Sequence, residues 1–195
     1  MKKNIVHIRN LILYIVLGIF ILGLGSCVYY NTFHNAQKSF NNAEKARKSS
    51  RSRGRGNISE YRRAIDKSLK VIENYPNSKY YDDALFVLTV SYYFTEQYAK
   101  SERRARELLA NYPESEFTRD ATLYMAKAKL ELRDHEEAMV IFQDIFDQQY
   151  DKAFKTEAAL ALGTFYFNNS EYDEAEPYLL AIRDSLGNED RKSVV

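Results

Sequence analysis

The stretch NYPNSKYYDDA at residues 74–84 recurs as NYPESEFTRDA at residues 111–121, 37 residues further along the chain. Both copies carry a Tyr-Pro pair and, eight residues after the proline, an alanine. A proline lacks a backbone donor and disfavours helix at the residue before it, so Tyr-Pro ends a helix. The Ser or Asp residues that follow can cap the start of the next one. Each copy therefore marks a junction between helices, and its small alanine allows the following helix to approach closely.

The same 37-residue offset continues through most of the chain and predicts a repeat protein. Five sets of residues fall in register at this offset: Tyr61, Tyr98, His135 and Tyr172; Ala64, Ser101, Ala138 and Ala175; Pro76, Pro113, Tyr150 and Gly187; Ala84, Ala121 and Ala158; Leu88, Met125 and Leu162. Within a repeat, apolar residues recur at intervals of three and four residues, as Leu85, Leu88 and Tyr92 do. This spacing is the period of a helix. Each repeat is thus predicted to be a pair of helices.

These units resemble tetratricopeptide repeats, whose usual period is about 34 residues. The stretch ALGTFYFNNSEYDEAEPYL at residues 161–179 carries the resemblance best, whereas Lys129 and His135 occupy columns where aromatic residues are typical. The resemblance implies an all-α fold, a right-handed α-solenoid of about four helical hairpins. We predict a repeat domain over residues 27–187 and a flexible tail over 188–195, with hairpins at residues 29–77, 78–114, 115–151 and 152–187.

The chain begins with a pattern typical of a secretory signal. Lys2, Lys3 and Arg9 precede an uncharged run over residues 11–26, which ends at Cys27, the only cysteine. The run is shorter than the roughly 20 residues of a membrane-spanning helix, although an uncleaved anchor is the alternative. The sequence Leu24-Gly25-Ser26-Cys27 resembles the bacterial lipobox, which implies a lipoprotein signal peptide over residues 1–26 and lipidation of Cys27.

Two further expectations concern the surroundings of the chain. The residue directly after Cys27 is Val28 and not Asp. By resemblance to the lipoprotein sorting rule, this implies an outer-membrane lipid anchor facing the periplasm. A basic insertion at residues 49–57 contains Arg51, Arg53 and Arg55 and suits anionic lipid headgroups or an acidic partner. The alternative is a solvated linker. Nucleic acid is not an expected partner, because the signal directs export.

The sequence offers no arrangement that predicts an enzyme. The three histidines lack metal-ligand spacing, no glycine-rich phosphate loop follows a strand, and no nucleophile–base pair stands out. A single cysteine excludes an intrachain disulfide framework. We therefore predict no catalytic residue, no metal and no cofactor, which leaves binding surfaces as the candidate functional sites.

In tetratricopeptide arrays the first helix of each hairpin lines a concave groove that binds extended peptides. Carried over by repeat position, this implies a groove lined by Phe86, Val90, Tyr93 and Phe94, then by Leu123, Lys127 and Leu130, and then by Leu160, Thr164 and Phe167. Each of these side chains could instead pack against a neighbouring helix.

A lipidated cysteine followed by repeats with NYPxS junctions resembles the BamD family, lipoproteins of the outer-membrane β-barrel assembly machinery. The resemblance implies a periplasmic scaffold whose partners are the β-barrel assembly protein and unfolded segments of outer-membrane proteins. The chain departs from that family in being shorter and in its basic insertion. The alternative is a lipid-anchored adaptor of cell-envelope, division, secretion or motility machinery, like the coordinator of the Tol-Pal system.

Overall fold

The computed structural model describes residues 31–49, 57–148 and 150–186. These residues form eight α-helices and no β-strand, so the predicted all-α fold is confirmed. The helices are α1 over residues 31–49, α2 (Ile58–Asn74), α3 (Tyr81–Phe94), α4 (Tyr98–Asn111), α5 (Thr118–Glu131), α6 (His135–Asp147), α7 (Lys152–Asn168) and α8 (Tyr172–Leu186).

Several predicted features lie outside the described residues. They are the signal peptide over residues 1–26, the lipidation site Cys27, Arg51, Arg53 and Arg55 of the basic insertion, and the tail over 188–195. Within the part of the chain that is described, no helix is both long and apolar enough to cross a bilayer.

The 37-residue period is visible in the backbone itself. Helices α4, α6 and α8 begin at Tyr98, His135 and Tyr172, each 37 residues after the one before. Helices α3, α5 and α7 end at Phe94, Glu131 and Asn168 with the same spacing. The start of α7 breaks the period, because the Asp151 side chain accepts the backbone N–H of Phe154 and begins the helix about one turn early.

The turns between these helices also repeat. Glu96, Arg133 and Ser170 have φ values of 61°, 64° and 64°, which is the left-handed conformation that L-residues rarely adopt. After α5 and after α7, the backbone N–H groups of Asp134 and Glu171 reach back five residues to carbonyl groups, at 2.9 Å in each case. This is the Schellman arrangement that ends a helix.

The described chain divides into two compact units, up to Thr95 and from Glu96 onward. In unit 1, helices α1, α2 and α3 share a core that depends on aromatic rings. Tyr61 of α2 is fully buried and stacks on Phe94 of α3, with ring centroids 5.0 Å apart. Phe33 of α1 stacks on Tyr80 at 4.6 Å. The rings therefore join all three parts of this unit.

In unit 2, each helix from α4 to α8 packs against the next one along the chain. Its main core cluster consists of Leu123, Ala126, Ala138, Met139, Phe142, Ile145, Phe154, Ala158 and Leu162. The small residues that recur at 37-residue spacing, Ala64 in unit 1 and Ser101, Ala138 and Ala175 in unit 2, have no exposed surface. Their position at helix contacts agrees with the role that the sequence predicts for them.

Candidate protein-interaction surface

The four candidate groove residues of α3 lie in unit 1, and helices α1 and α2 cover much of them. Val90 is only 1% exposed, so its placement in an open groove is corrected: it is a core residue. Phe86 meets Phe40 of α1 edge to face, at 6.1 Å between centroids. Phe94 lies between the Tyr61 ring and the Arg47 guanidinium, which is 5.1 Å from its centroid. Tyr93 is half-buried and contacts Phe94 at 5.3 Å.

A carboxylate fixes this aromatic arrangement. Glu44 accepts hydrogen bonds from the Arg47 guanidinium, at 2.6 Å, and from the Tyr61 hydroxyl. The charge of Arg47 is thus partly neutralised, and its planar group is held over the Phe94 ring, where a cation–π contact is favourable. The α3 positions of unit 1 therefore serve packing inside the unit.

The candidates on α5, in unit 2, are also largely covered. Leu123 is 3% exposed and belongs to the main core cluster, so its predicted place in the groove is corrected as well. Leu130 is half-buried and packs against the same cluster. Lys127 is half-buried, forms an ion pair with Glu157 of α7 and lies 5.2 Å from the Tyr124 ring. Of these three side chains, Lys127 and Leu130 therefore reach the surface in part, and Leu123 does not.

The candidates on α7 are different, because they are open to solvent. Leu160 is 56% exposed, Phe167 is 54% exposed, and Thr164 lies exposed between them. Their spacing of four and three residues places them on one face of the helix. The Phe167 ring meets the Tyr172 ring edge to face at 5.4 Å, and Tyr172 is 58% exposed. We call these four residues the α7 strip.

Two ion pairs join α5 to the first part of α7, the helix that carries most of this strip. The Arg119 guanidinium of α5 pairs with Asp151 at 2.8 Å and lies 4.6 Å from the Phe154 ring. The backbone N–H of Phe154, and secondarily Arg119, lower the pKa of the Asp151 carboxyl. Together with the Lys127–Glu157 pair, this contact links the start of α7 to α5 in two places.

Lys129 is buried and joins three helices of unit 2. In the sequence it stands out only as a departure from the aromatic residues typical of its repeat position. The Lys129 ammonium bonds to Asp134 at 2.8 Å, to Glu137 at 2.6 Å and to Glu102 at 3.3 Å. Burial alone would lower the pKa of Lys129, but these three carboxylates outweigh it and raise the pKa above its ordinary value. Lys129 and its carboxylates therefore form a polar contact at the edge of the core, at a repeat position where an aromatic residue is typical.

Residues 77–186 match the family model of the tetratricopeptide repeat-like domain. The match covers more than half of the chain, and the chain therefore belongs to this family. No match to the chain was found among curated proteins. A domain of this family is a scaffold for protein–protein interaction. Among the groove residues that the sequence predicts, those of α7 are the most exposed.

Proposed function

We propose that the chain is a lipid-anchored periplasmic scaffold for the assembly of outer-membrane β-barrel proteins, the role of the BamD family. In this proposal the chain binds proteins through its α7 strip. The observation that supports it most is the exposure of Leu160, Phe167 and Tyr172 together in a tetratricopeptide repeat-like domain. Large apolar groups gathered on one face favour association with an apolar partner, because burying them removes apolar surface from water.

The dimensions of the strip suit an extended chain. Leu160 and Phe167 are seven residues apart, or about 10 Å along the helix axis. An extended segment covers that distance in about three residues, with alternate side chains on one side. Segments of β-barrel proteins carry apolar side chains at alternate positions along each strand. Such a segment could lay its apolar side chains along the strip.

The membrane anchor rests on the sequence. Cys27 follows a signal-like run and stands four residues before the first described residue of α1. Two or more acyl chains bound to one residue hold a protein to a bilayer, because each buried methylene contributes about 0.8 kcal/mol. A Cys27→Ser variant is therefore expected to leave the membrane fraction after cell lysis. Continued sedimentation with membranes would mean that another segment anchors the chain.

The function is tested by replacing the natural chain with a Leu160→Ser/Phe167→Ser variant in cells depleted of the wild type. We expect the levels of folded outer-membrane β-barrel proteins to fall as they do on depletion, while the variant itself remains abundant. Val140→Ser is the matched control, because Val140 is 66% exposed on α6 and lies outside the strip. This control should restore normal levels.

If depletion itself leaves the barrel proteins unchanged, the assembly role is excluded. In that case the strip would serve an adaptor of other envelope machinery, and the processes to examine would be division, secretion and motility.

A further inference from the structure

A second candidate site lies in unit 2, in a cleft between α6, α7 and α8. The cleft has a volume of about 330 Å³, and its lining residues are Phe146, Tyr150, Lys152, Lys155, Thr156, Ala159 and Ala181. Two rings form apolar walls, and two alanines leave space between the helices. This volume is at the low end for ligand sites, so the cleft accommodates one or two side chains rather than a folded surface.

The two lysines of this cleft differ from most other cations of unit 2. The described part of that unit contains 11 Lys and Arg against 19 Asp and Glu. Six of the cations pair with carboxylates: Arg104, Arg106, Arg119, Lys127, Lys129 and Arg183. Within the described residues Lys152 and Lys155 form no ion pair. The Lys152 ammonium donates to the Asp184 carbonyl at 2.6 Å, and Lys155 lies 5.2 Å from the Phe146 ring.

We infer that this cleft binds a short acidic peptide segment in which an aspartate or glutamate adjoins an aromatic residue. Each ammonium has three donors, so Lys152 retains two beyond its bond to the carbonyl. A carboxylate between the two ammonium groups would receive charge-assisted hydrogen bonds. The neighbouring ring would enter the space above Ala159 and Ala181 and meet the rings of Phe146 and Tyr150, in the offset or edge-to-face contacts that aromatic groups prefer.

The inference deepens the proposed protein-binding role and rests on it, but it concerns another surface. On a helix of 3.6 residues per turn, the face with Lys152, Lys155 and Ala159 lies roughly a third of a turn from the α7 strip. Substitutions in one surface can therefore leave the other intact. This separation allows the two proposals to fail independently.

The test uses the full-length chain, labelled with ¹⁵N in detergent micelles, and two dipeptide probes. N-acetyl-Phe-Asp-amide carries the carboxylate, and N-acetyl-Phe-Asn-amide has the same shape without the charge. We expect the first probe to shift the amide signals of Ala159 and Ala181 with a dissociation constant on the order of 10 mM. The second should bind about fivefold more weakly, because the lysines are partly solvated. Because the two probes can partition differently into micelles, their difference is compared with the same difference in a variant without the two lysines.

Two variants decide the location. Lys152→Gln/Lys155→Gln should abolish the difference between the probes, whereas Leu160→Ser/Phe167→Ser should preserve it. Equal shifts from both probes, or an unchanged difference in the lysine variant, would overturn the proposal. Tighter binding of decanoate would assign the cleft to a fatty acid instead. Binding that is seen only after truncation at Leu186 would assign it to the chain's own tail.

Discussion

Units 1 and 2 contain the same repeated helices, and rings stack between helices in both, as Tyr166 does on Tyr178 in unit 2, but the units differ in charge balance and in the contacts that accompany those rings. The described part of unit 1 has nine Lys and Arg against six Asp and Glu, and its helices are joined by stacked rings such as Tyr61 on Phe94. The described part of unit 2 has 11 against 19, and ion pairs such as those of Lys129 supplement an apolar core. A repeat therefore determines the helix positions while leaving the interactions between helices free to vary.

The comparison also shows how one repeat position can be covered in one place and exposed in another. Phe86, Leu123 and Leu160 occupy equivalent positions, 37 residues apart. Phe86 contacts Phe40 of α1, and Leu123 is buried in the core, but Leu160 is 56% exposed. The position predicts the direction of the side chain, and the neighbouring elements determine whether a partner can reach it.

The largest effect is expected at Tyr61, and its counterpart Tyr172 provides the control. Tyr61→Ala should destabilise the protein by about 4 kcal/mol, because it removes a fully buried ring and leaves a cavity. Tyr172→Ala, at the equivalent position in unit 2, should cost less than about 1 kcal/mol because that ring is 58% exposed. Denaturant unfolding measures both. Equal losses would contradict the different roles of this position in the two units.

Unit 2 should also depend on its buried lysine. Lys129→Met preserves most of the volume but leaves Asp134, Glu137 and Glu102 without their shared cation. Because Asp134 and Glu137 remain partly in water, a loss of about 2 kcal/mol is expected. Lys127→Met breaks a more exposed pair and should cost less than about 1 kcal/mol. A loss no larger at Lys129 than at Lys127 would show that the buried contact contributes little.

The Lys129 contact also has a defined pH dependence. Its pKa is raised on folding, so at neutral pH its contribution is fully present, and it is lost as the pH rises above the ordinary lysine value of about 10.5 and through the higher folded value. From neutral pH upward, the stability difference between the wild type and Lys129→Met should therefore shrink only in strongly alkaline solution. In acid it should shrink as well, because Asp134, whose pKa Lys129 lowers, becomes protonated. A difference that disappears between pH 7 and 9 would contradict the pairing.

A smaller effect distinguishes the two helix caps. Asn57 caps α2 in unit 1 and Asp151 caps α7 in unit 2, so Ala at either position should cost about 1 kcal/mol. Only Asp151 titrates. Because its pKa is lowered on folding, its contribution is present above about pH 4 and is lost as the pH falls through the folded value. Acid should therefore reduce the effect of Asp151→Ala and leave that of Asn57→Ala unchanged.

The smallest expected effect is a gain in stability at the turns. Ser170 has a φ of 64°, a conformation that costs an L-residue roughly 1 kcal/mol and glycine almost nothing. Ser170→Gly should raise the free energy of unfolding by about 0.5 kcal/mol after the greater chain entropy of glycine is included. Ser39→Gly, in the middle of α1, should lower it by about as much. A loss at both sites would contradict the turn geometry.

Much of the fold could be predicted from the sequence because local chemistry specifies it. Tyr-Pro pairs end α2 and α4, and the recurring small residues lie at helix contacts. The burial of Lys129 could not be predicted, since its carboxylate partners come from α4, from α6 and from the turn before α6. For the same reason the repeat position alone could not distinguish buried Leu123 from exposed Leu160. That Lys152 and Lys155 form no ion pair among the described residues likewise depends on tertiary neighbours.

The central claim is that the α7 strip, in unit 2, binds the proteins that this scaffold assists. It is tested most directly by replacing Phe167, and separately Val140, with a photocrosslinking amino acid in living cells and identifying what each position captures. The account predicts that position 167 captures outer-membrane β-barrel proteins or their assembly protein, while position 140 captures neither. Equal capture from both positions, or none of these proteins at position 167, would contradict it.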